Sequence, residues 1–98
     1  MPLYAVRRRR GGPWDWSRGL REQEGWDEHA AFMDALVAEG VILLGGPLDG
    51  DRDVLLIVEA GSEAEVHERL AADSWTQDGK LETTAVEEWT VLLDSVRQ

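Results

Sequence analysis

Two polar side chains, His29 and Asp73, occupy positions where the surrounding pattern expects apolar residues. His29 is three residues after Trp26, which places it on the apolar face of a helical segment. Asp73 follows Leu70 by three residues and Val66 by seven, which places it on the inward stripe of a second helix. An imidazole oriented by a carboxylate can take up or release a proton near neutral pH. The pair is therefore a candidate for general acid–base chemistry.

A purely structural alternative stays open for the same pair. Asp73 is predicted in the last turn of its helix, where the helix dipole disfavours negative charge. A carboxylate that points inward also needs a partner, because an unpaired buried charge is costly. His29 could be that partner for packing alone. The second histidine, His67, has glutamates on either side and is predicted on a solvated helix face.

The arginines at the end of the first predicted strand are candidates for holding an anionic substituent. Residues 7–10 are all Arg, and they extend the apolar stretch of residues 3–6. Because side chains alternate along a strand, we predict that at least one of Arg7 and Arg9 points toward a cavity beside His29. The alternative is a solvated strand edge that only limits aggregation.

Tryptophan side chains near the predicted pair could form the walls of a pocket. Five Trp in 98 residues is a high count. Trp75 follows the second helix, and Trp14 and Trp16 lie in the loop after the first strand. These three could enclose a flat ligand or only seal one end of the fold. Trp26 and Trp89 are predicted mainly as core residues.

Backbone flexibility completes the predicted site. Gly45 and Gly46 precede Pro47 and allow a ligand or a neighbouring segment to approach the backbone closely. No spacing in the sequence indicates a metal site or a bound cofactor. The predicted catalytic pair is His29 and Asp73, and the predicted substrate-binding residues are Arg7, Arg9, Trp26, Gly46, Pro47 and Trp75.

The elements that position these residues follow from the periodicity of the apolar positions. Apolar residues recur every three to four positions from Trp26 onward, which is typical of an amphipathic helix. Ser62 and Glu65 fit a capping box at the start of a second helix. The predicted strands are residues 3–9, 41–44, 53–60 and 81–93, with a bulge near 87–88, and the predicted helices are residues 26–39 and 62–73.

The order of these elements predicts the fold class. It is β-α-β-β-α-β, the α+β arrangement called ferredoxin-like, with a four-stranded antiparallel sheet. The length of 98 residues predicts one domain, spanning residues 1–98. In this fold both helices lie on one face of the sheet and run in opposite directions. The start of the first helix is then close to the end of the second, which brings His29 next to Asp73.

The sheet face without helices needs a cover that these elements do not supply. The second and third strands are apolar on both faces, whereas two helices can cover only one face. A second copy of the chain is the simplest cover, because closed two-fold dimers are the commonest oligomers. We therefore predict a homodimer in which two sheets pack face to face.

Composition argues against several classes of protein. The formal net charge is -10, which opposes binding to nucleic acids and to anionic membranes. Positive charge is concentrated in residues 1–21, which carry six Arg and one acidic residue. The chain has no Cys, so disulfides and thiolate metal sites are excluded. It has neither a run of about 20 apolar residues nor the apolar core of a signal peptide, so we expect a cytoplasmic protein.

Three sequence motifs resemble a known family. They are residues 26–29 (Trp-Asp-Glu-His), residues 40–48 (Gly-Val-Ile-Leu-Leu-Gly-Gly-Pro-Leu) and residues 72–75 (Ala-Asp-Ser-Trp). Together they are similar to YciI-like (YCII-related) proteins over nearly the whole chain. The resemblance implies a ferredoxin-like fold, a dimeric α+β barrel and an active-site His/Asp pair, for which the matching positions are His29 and Asp73. Family members usually have Asp-Pro where this chain has Asp73-Ser74, a change that could alter the loop angle without removing the carboxylate.

The same resemblance implies a function. It implies an enzyme without a cofactor, with dehydrochlorinase or muconolactone-isomerase-like chemistry among the activities of relatives. We therefore predict acid–base chemistry on a small, anionic or aromatic ligand, with His29 as the proton shuttle and Asp73 as the group that orients it. The alternative is a non-catalytic protein that binds a small metabolite or serves as an accessory dimerisation module. A dimerisation module predicts a cavity filled with side chains.

Overall fold

A four-stranded antiparallel sheet with helices on one face forms the fold. The computed structural model describes residues 1–96, so the last two residues of the predicted domain lie outside the described range. Along these residues the elements are β1 (Leu3–Arg10), a 3-10 turn (Leu20–Glu22), α1 (Trp26–Ala38), β2 (Ile42–Pro47), β3 (Asp53–Glu59), α2 (Glu63–Ala71), α3 (Ser74–Gln77) and β4 (Leu81–Trp89). The strand order in the sheet is β2-β3-β1-β4. The predicted α+β, ferredoxin-like fold is confirmed, with the 3-10 turn and α3 as additions.

The main hydrophobic core lies between the sheet and the helices. Val6 of β1 pairs with Leu56 of β3, so both side chains are on the same face of the sheet. Leu36 of α1 and Val66 of α2 belong to the same cluster, and each of these four residues is at most 4% exposed. Burial of such side chains stabilises the fold by about 1.5–3 kcal/mol each. Packing on this one face fixes α1 and α2 relative to the sheet.

Local hydrogen bonds and a glycine mark the start of α2 and the end of α1. The Ser62 hydroxyl accepts a hydrogen bond from the backbone N–H of Glu65 at 3.1 Å. The Glu65 carboxylate accepts from the N–H of Gly61 at 2.8 Å, one residue earlier than a capping box requires. At the other boundary, α1 ends at Ala38 and Gly40 adopts a φ of 79°, a conformation that glycine takes at little cost.

β4 differs from its predicted form in three ways. Its register against β1 shifts between Arg7 and Arg8, so the extra residue is Thr84 and not a residue near 87–88. The strand ends at Trp89 and not at residue 93. Trp89 pairs with Leu3 and is 46% exposed, so the prediction of a core position is wrong. Strand alternation is the reason, because it places Trp89 on the face of the sheet that no helix covers.

Part of the helix-free face of the sheet is apolar in the single chain. Ala5, Leu55 and Ile57 line a shallow groove on this face together with Trp89, Glu87 and Glu88. Leu44 of β2 pairs with Ile57 and is 59% exposed. We call the five apolar residues among these the open face. Its cover by a second copy of the chain stays a prediction.

Candidate active site

His29 and Asp73 are in direct contact at one edge of the fold. His29 lies in the first turn of α1, and its Nδ1 is 2.7 Å from Oδ1 of Asp73. The His29 side chain is 9% exposed and the Asp73 side chain is fully buried. An ionised carboxylate can only accept hydrogen bonds, so Nδ1 carries the proton and donates a hydrogen bond to Asp73. The two side chains therefore form a buried, charge-assisted hydrogen bond.

Asp73 has a different position in its segment from the one predicted. α2 ends at Ala71, and Asp73 is the N-cap of α3. Its Oδ1 accepts a second hydrogen bond from the backbone N–H of Trp75 at 3.2 Å. The expectation of an unfavourable helix terminus is therefore wrong, because Asp at an N-cap satisfies a free N–H group of the following turn.

The second carboxylate oxygen of Asp73 is held by β1 and α3. Arg8 Nη1 donates to Oδ2 at 3.3 Å, and the Thr76 hydroxyl lies 3.4 Å from the same oxygen. Arg8 Nη2 also donates to the Thr76 hydroxyl. The Arg8 side chain is 1% exposed, so Asp73 and Arg8 form an ion pair away from water. These contacts fix the orientation of the carboxylate, which in turn fixes the imidazole.

Trp75 supports the imidazole from one side. The Trp75 and His29 rings are stacked, with centroids 4.0 Å apart and planes 8° from parallel. Trp75 is itself held, because its indole N–H donates to the backbone carbonyl of Glu24 at 2.9 Å. Gly25 adopts a φ of 81° beside this ring, and a Cβ at that position would lie 3.2 Å from the indole nitrogen. Close contact on this side leaves the imidazole a single orientation.

A cavity of about 240 Å³ adjoins the His29 side of this cluster. Within residues 1–96, Nε2 of His29 has no hydrogen-bond partner, and His29 is one of the residues that line the cavity. Asp73 is not among the lining residues, because it lies behind the imidazole. Four of the predicted binding residues do line the cavity: Trp26, Gly46, Pro47 and Trp75.

The prediction that Arg7 or Arg9 faces the cavity is wrong. Both side chains are more than 50% exposed, and both bind Asp53 at the opposite face of the sheet. Arg8 and Arg10 line the cavity instead. The physical reason is strand alternation, because Arg8 and Arg10 share the helix-covered face with Val6. Positive charge therefore reaches the cavity through the other two arginines of the run.

Burial and ion pairing shift the titration of Asp73 and Arg8. Burial raises the pKa of Asp73, but the hydrogen bond and charge of His29, the charge of Arg8 and the N–H of Trp75 together lower that pKa below its ordinary value. Burial lowers the pKa of Arg8, and the nearby carboxylate opposes this effect. A guanidinium stays protonated in proteins, so Arg8 and Asp73 are both charged at neutral pH.

A change of pH tests the lowered pKa of Asp73. A carboxyl group with a lower pKa in the folded state stabilises the fold above its unfolded pKa of about 3.9, and this stabilisation is lost as pH falls through the folded pKa. We expect Asp73→Asn, which keeps the size of the side chain, to weaken the dependence of the free energy of unfolding on pH below about pH 5. Urea unfolding of both proteins at several values from neutral to acidic pH measures this difference. Identical pH dependence in the two proteins would contradict the expectation.

The sequence of most of the chain matches a known family. Residues 18–90 match the YCII-related domain. This chain belongs to the YCII-related family. The resemblance seen in the three motifs is therefore confirmed, and the matched residues include α1, β2 and the loop that carries Asp73.

One solved structure of a YciI-like enzyme is similar over almost the full length. It is 5-chloro-2-hydroxyhydroquinone dehydrochlorinase (TftG) from Burkholderia phenoliruptrix AC1100, in complex with 2,5-dihydroxybenzoquinone. The two sequences are 28% identical, and the TM-score is 0.65. The comparison covers 92% of this chain and 94% of that chain. No curated protein matches this chain.

Sequence reasoning about this YCII-related chain missed three residues that organise the site. Arg8 and Thr76 hold Asp73, as described above. Gln23 is 3% exposed, and its amide binds backbone groups of Asp15, Arg18 and Gly19, which closes the loop after β1. The sequence could have indicated Thr76, because this residue is three positions after an Asp that caps a helix. Gln23 had no signal, because its partners are backbone atoms.

No group of three or more His, Asp or Glu side chains within residues 1–96 is arranged to hold a metal ion. Within the same range, no helix is long and apolar enough to cross a membrane.

Proposed function

We propose that this chain is an enzyme that needs no cofactor and moves protons on a small hydroxylated aromatic or quinonoid ring. One observation carries the proposal. The imidazole of His29 is fixed at Nδ1 by a buried carboxylate, its Nε2 has no partner within residues 1–96, and His29 lines a cavity. A general base needs this combination of a defined tautomer and an accessible nitrogen.

Each residue of the cluster has a defined part in this proposal. Nε2 of His29 takes a proton from the ring substrate and returns one later in the reaction. Asp73 keeps the proton on Nδ1 and stabilises the imidazolium that forms, as a carboxylate does in other His/Asp pairs. Trp75 stacks on the imidazole, and an aromatic face attracts a positive charge. Arg8 keeps Asp73 ionised and in place.

The similarity to TftG supports a specific reaction class. That protein is a dehydrochlorinase and its structure holds a dihydroxybenzoquinone. Loss of HCl from a chlorinated hydroxyhydroquinone gives a hydroxybenzoquinone. A proton first moves from a hydroxyl oxygen to the carbon that carries chlorine. A base then takes a second hydroxyl proton, chloride leaves with the electrons of the C–Cl bond, and no outside electron acceptor is needed. Movement of a proton between oxygen and carbon of such a ring uses the same base. We propose one of these two proton-transfer reactions for this chain.

Chloride release tests the first reaction. The protein is incubated with 5-chloro-2-hydroxyhydroquinone without oxygen, and chloride is measured by ion chromatography. We expect release at least about a hundredfold faster than the spontaneous rate, because a positioned base contributes about 10²–10⁴. Exchange of ring protons of hydroxyhydroquinone in D₂O, followed by NMR, tests the second reaction. Rates equal to those without protein in both assays would refute the enzyme proposal.

The second candidate function is binding without chemistry. A cavity of about 240 Å³ with an apolar lining fits a metabolite-binding protein as well as an enzyme. The accessory dimerisation module has less support, because it predicted a cavity filled with side chains. The chloride-release and D₂O assays together separate binding from catalysis, since a binding protein accelerates neither reaction.

We also propose that the chain acts as a homodimer, with the open face buried between two copies. Leu44 and Trp89 are half exposed in the single chain, which is unusual for apolar residues on a sheet face. Light scattering at micromolar concentration is expected to give twice the chain mass of 11.0 kDa. Trp89→Glu should shift the protein toward 11.0 kDa by placing a charge in the interface. A wild-type mass of one chain would contradict the proposal. The cytoplasmic location stays a prediction from the sequence.

A further inference from the structure

The charged side chains that line the cavity are arginines. Its lining includes Arg8 and Arg10 of β1 and the imidazole of His29, and none of the described lining residues is Asp or Glu. The chain as a whole has a formal net charge of -10. The positive charge at the cavity wall is opposite in sign to the net charge of the chain. It attracts an anion, whereas a neutral or cationic ligand does not require it.

The charges of the two arginines are balanced to different degrees. Arg8 pairs with Asp73, which is fully buried. The Arg10 side chain is 3% exposed, but its carboxylate partner is Asp51, at 2.8 Å, whose side chain is 69% exposed. An exposed carboxylate is well solvated and balances a buried cation weakly. Arg10 therefore brings positive charge to the cavity that the protein itself only partly neutralises.

Both arginines also have an unused hydrogen-bond donor. Within residues 1–96, the Nε–H groups of Arg8 and Arg10 are buried and have no acceptor. A buried donor without a partner is costly, and such groups are rare in folded proteins. The two residues alternate on β1, so their side chains lie on the same face about 7 Å apart. Nη1 of Arg10 is engaged by Asp51, and the ring of Trp14 lies against the guanidinium, with its centroid 4.1 Å from Cζ.

We propose that the cavity binds a planar organic anion of a single ring, with its negatively charged oxygen at the β1 wall, where Arg10 is the residue that selects for charge. The aromatic walls at Trp14, Trp26 and Trp75 suit a flat ring, and a volume of about 240 Å³ suits a small one. This orientation places the ring between the arginines and Nε2 of His29. The inference rests on the proposed function only in using the same cavity, and it requires no chemistry.

Binding of a matched pair of ligands tests this inference. Benzoate and benzamide have nearly the same shape, and only benzoate is charged at neutral pH. Isothermal titration calorimetry is expected to show benzoate binding at least about tenfold more tightly than benzamide, because charge-assisted hydrogen bonds are the stronger ones. Equal affinities, or no saturable binding of benzoate up to 10 mM (about the weakest range that calorimetry measures), would overturn the proposal.

Neighbouring arginines of the same strand provide the control. Arg10→Gln is expected to weaken benzoate binding about tenfold and leave benzamide binding unchanged. Arg9→Gln removes the same charge from the opposite face, and we expect a change of less than about twofold because solvent screens it. Equal losses in the two variants would overturn the proposal, since they would indicate only the overall charge of the protein.

An exposed substitution covers the case in which Arg10→Gln does not fold. Asp51→Asn removes the carboxylate partner of Arg10, and Asn tolerates the φ of 63° at this position. With less competition for the guanidinium, benzoate is expected to bind about twofold to fivefold more tightly, with benzamide unchanged. Unchanged or weaker benzoate binding in this variant would contradict the proposed role of Arg10 in selecting for charge. All these experiments measure only binding. They can therefore give the expected result when the turnover assays of the proposed function do not, and the turnover assays can succeed when these experiments fail.

Discussion

His29→Asn is expected to lower the proposed proton-transfer rate about a thousandfold while leaving the fold intact. The Asn side-chain amide can occupy the place of Nδ1 and donate to Asp73, so the buried carboxylate keeps a partner. An amide cannot take up a proton at neutral pH, so the contribution of a general base, about 10²–10⁴, is lost. The measurement is chloride release or ring-proton exchange, together with the midpoint of urea unfolding.

The other histidine supplies a matched control for this experiment. His67 lies on the exposed face of α2, 3.7 Å from Glu63, and its side chain is 52% exposed. We expect His67→Asn to retain the wild-type rate, because this ring does not touch the cavity. A His29→Asn variant that keeps more than about a tenth of the wild-type rate would show that another group supplies the proton transfer.

Arg8→Met is expected to lower the free energy of unfolding by about 3–5 kcal/mol. Methionine fills much of the space of the Arg8 side chain, so the change mainly removes charge and hydrogen bonds. Asp73 then remains as a buried carboxylate with only His29, Thr76 and a backbone N–H around it. Equilibrium urea unfolding at neutral pH, with unchanged slope, measures the effect.

Two variants separate this effect from a general loss of charge. Arg9→Met removes an arginine whose side chain is 54% exposed and whose partner is Asp53, so we expect a change within about 1 kcal/mol. Arg8→Met combined with Asp73→Asn removes both charges of the buried pair and should recover part of the stability lost in Arg8→Met. A loss for Arg8→Met no larger than that for Arg9→Met would contradict the buried ion pair.

The order of elements and the meeting of His29 with Asp73 were predictable because they depend on patterns that are local in sequence. The helical period of α1 places His29 on the inward face whatever the rest of the chain does. The β-α-β-β-α-β order then leaves few arrangements, and it brings the start of α1 near the end of α2. The details of the termini do not change that result, although Asp73 caps α3 instead of ending α2.

The direction of the arginine side chains was not predictable from the sequence, because it depends on contacts between residues that are far apart in the chain. The residues before Arg7 on β1 are apolar at both alternating positions, so neither face of the strand is marked as the solvent face. The face is set by contacts distant in sequence, in which Arg9 pairs across the sheet with Asp53 and Arg8 meets Asp73. The prediction of a core position for Trp89 was wrong for a similar reason. The bulge at Thr84 shifts the register between the two ends of β4.

The Asp73 carboxylate joins three segments, because it binds Arg8 of β1, His29 of α1 and the first turn of α3 at once. The group that orients the imidazole is thus also a group that keeps the segments together. In evolution, a descendant with no use for the proposed proton transfer would still not be free to discard Asp73, since substitution would expose the chain to unfolding and degradation. Selection for foldedness alone is therefore sufficient to retain Asp73 in lineages whose substrate has changed or disappeared.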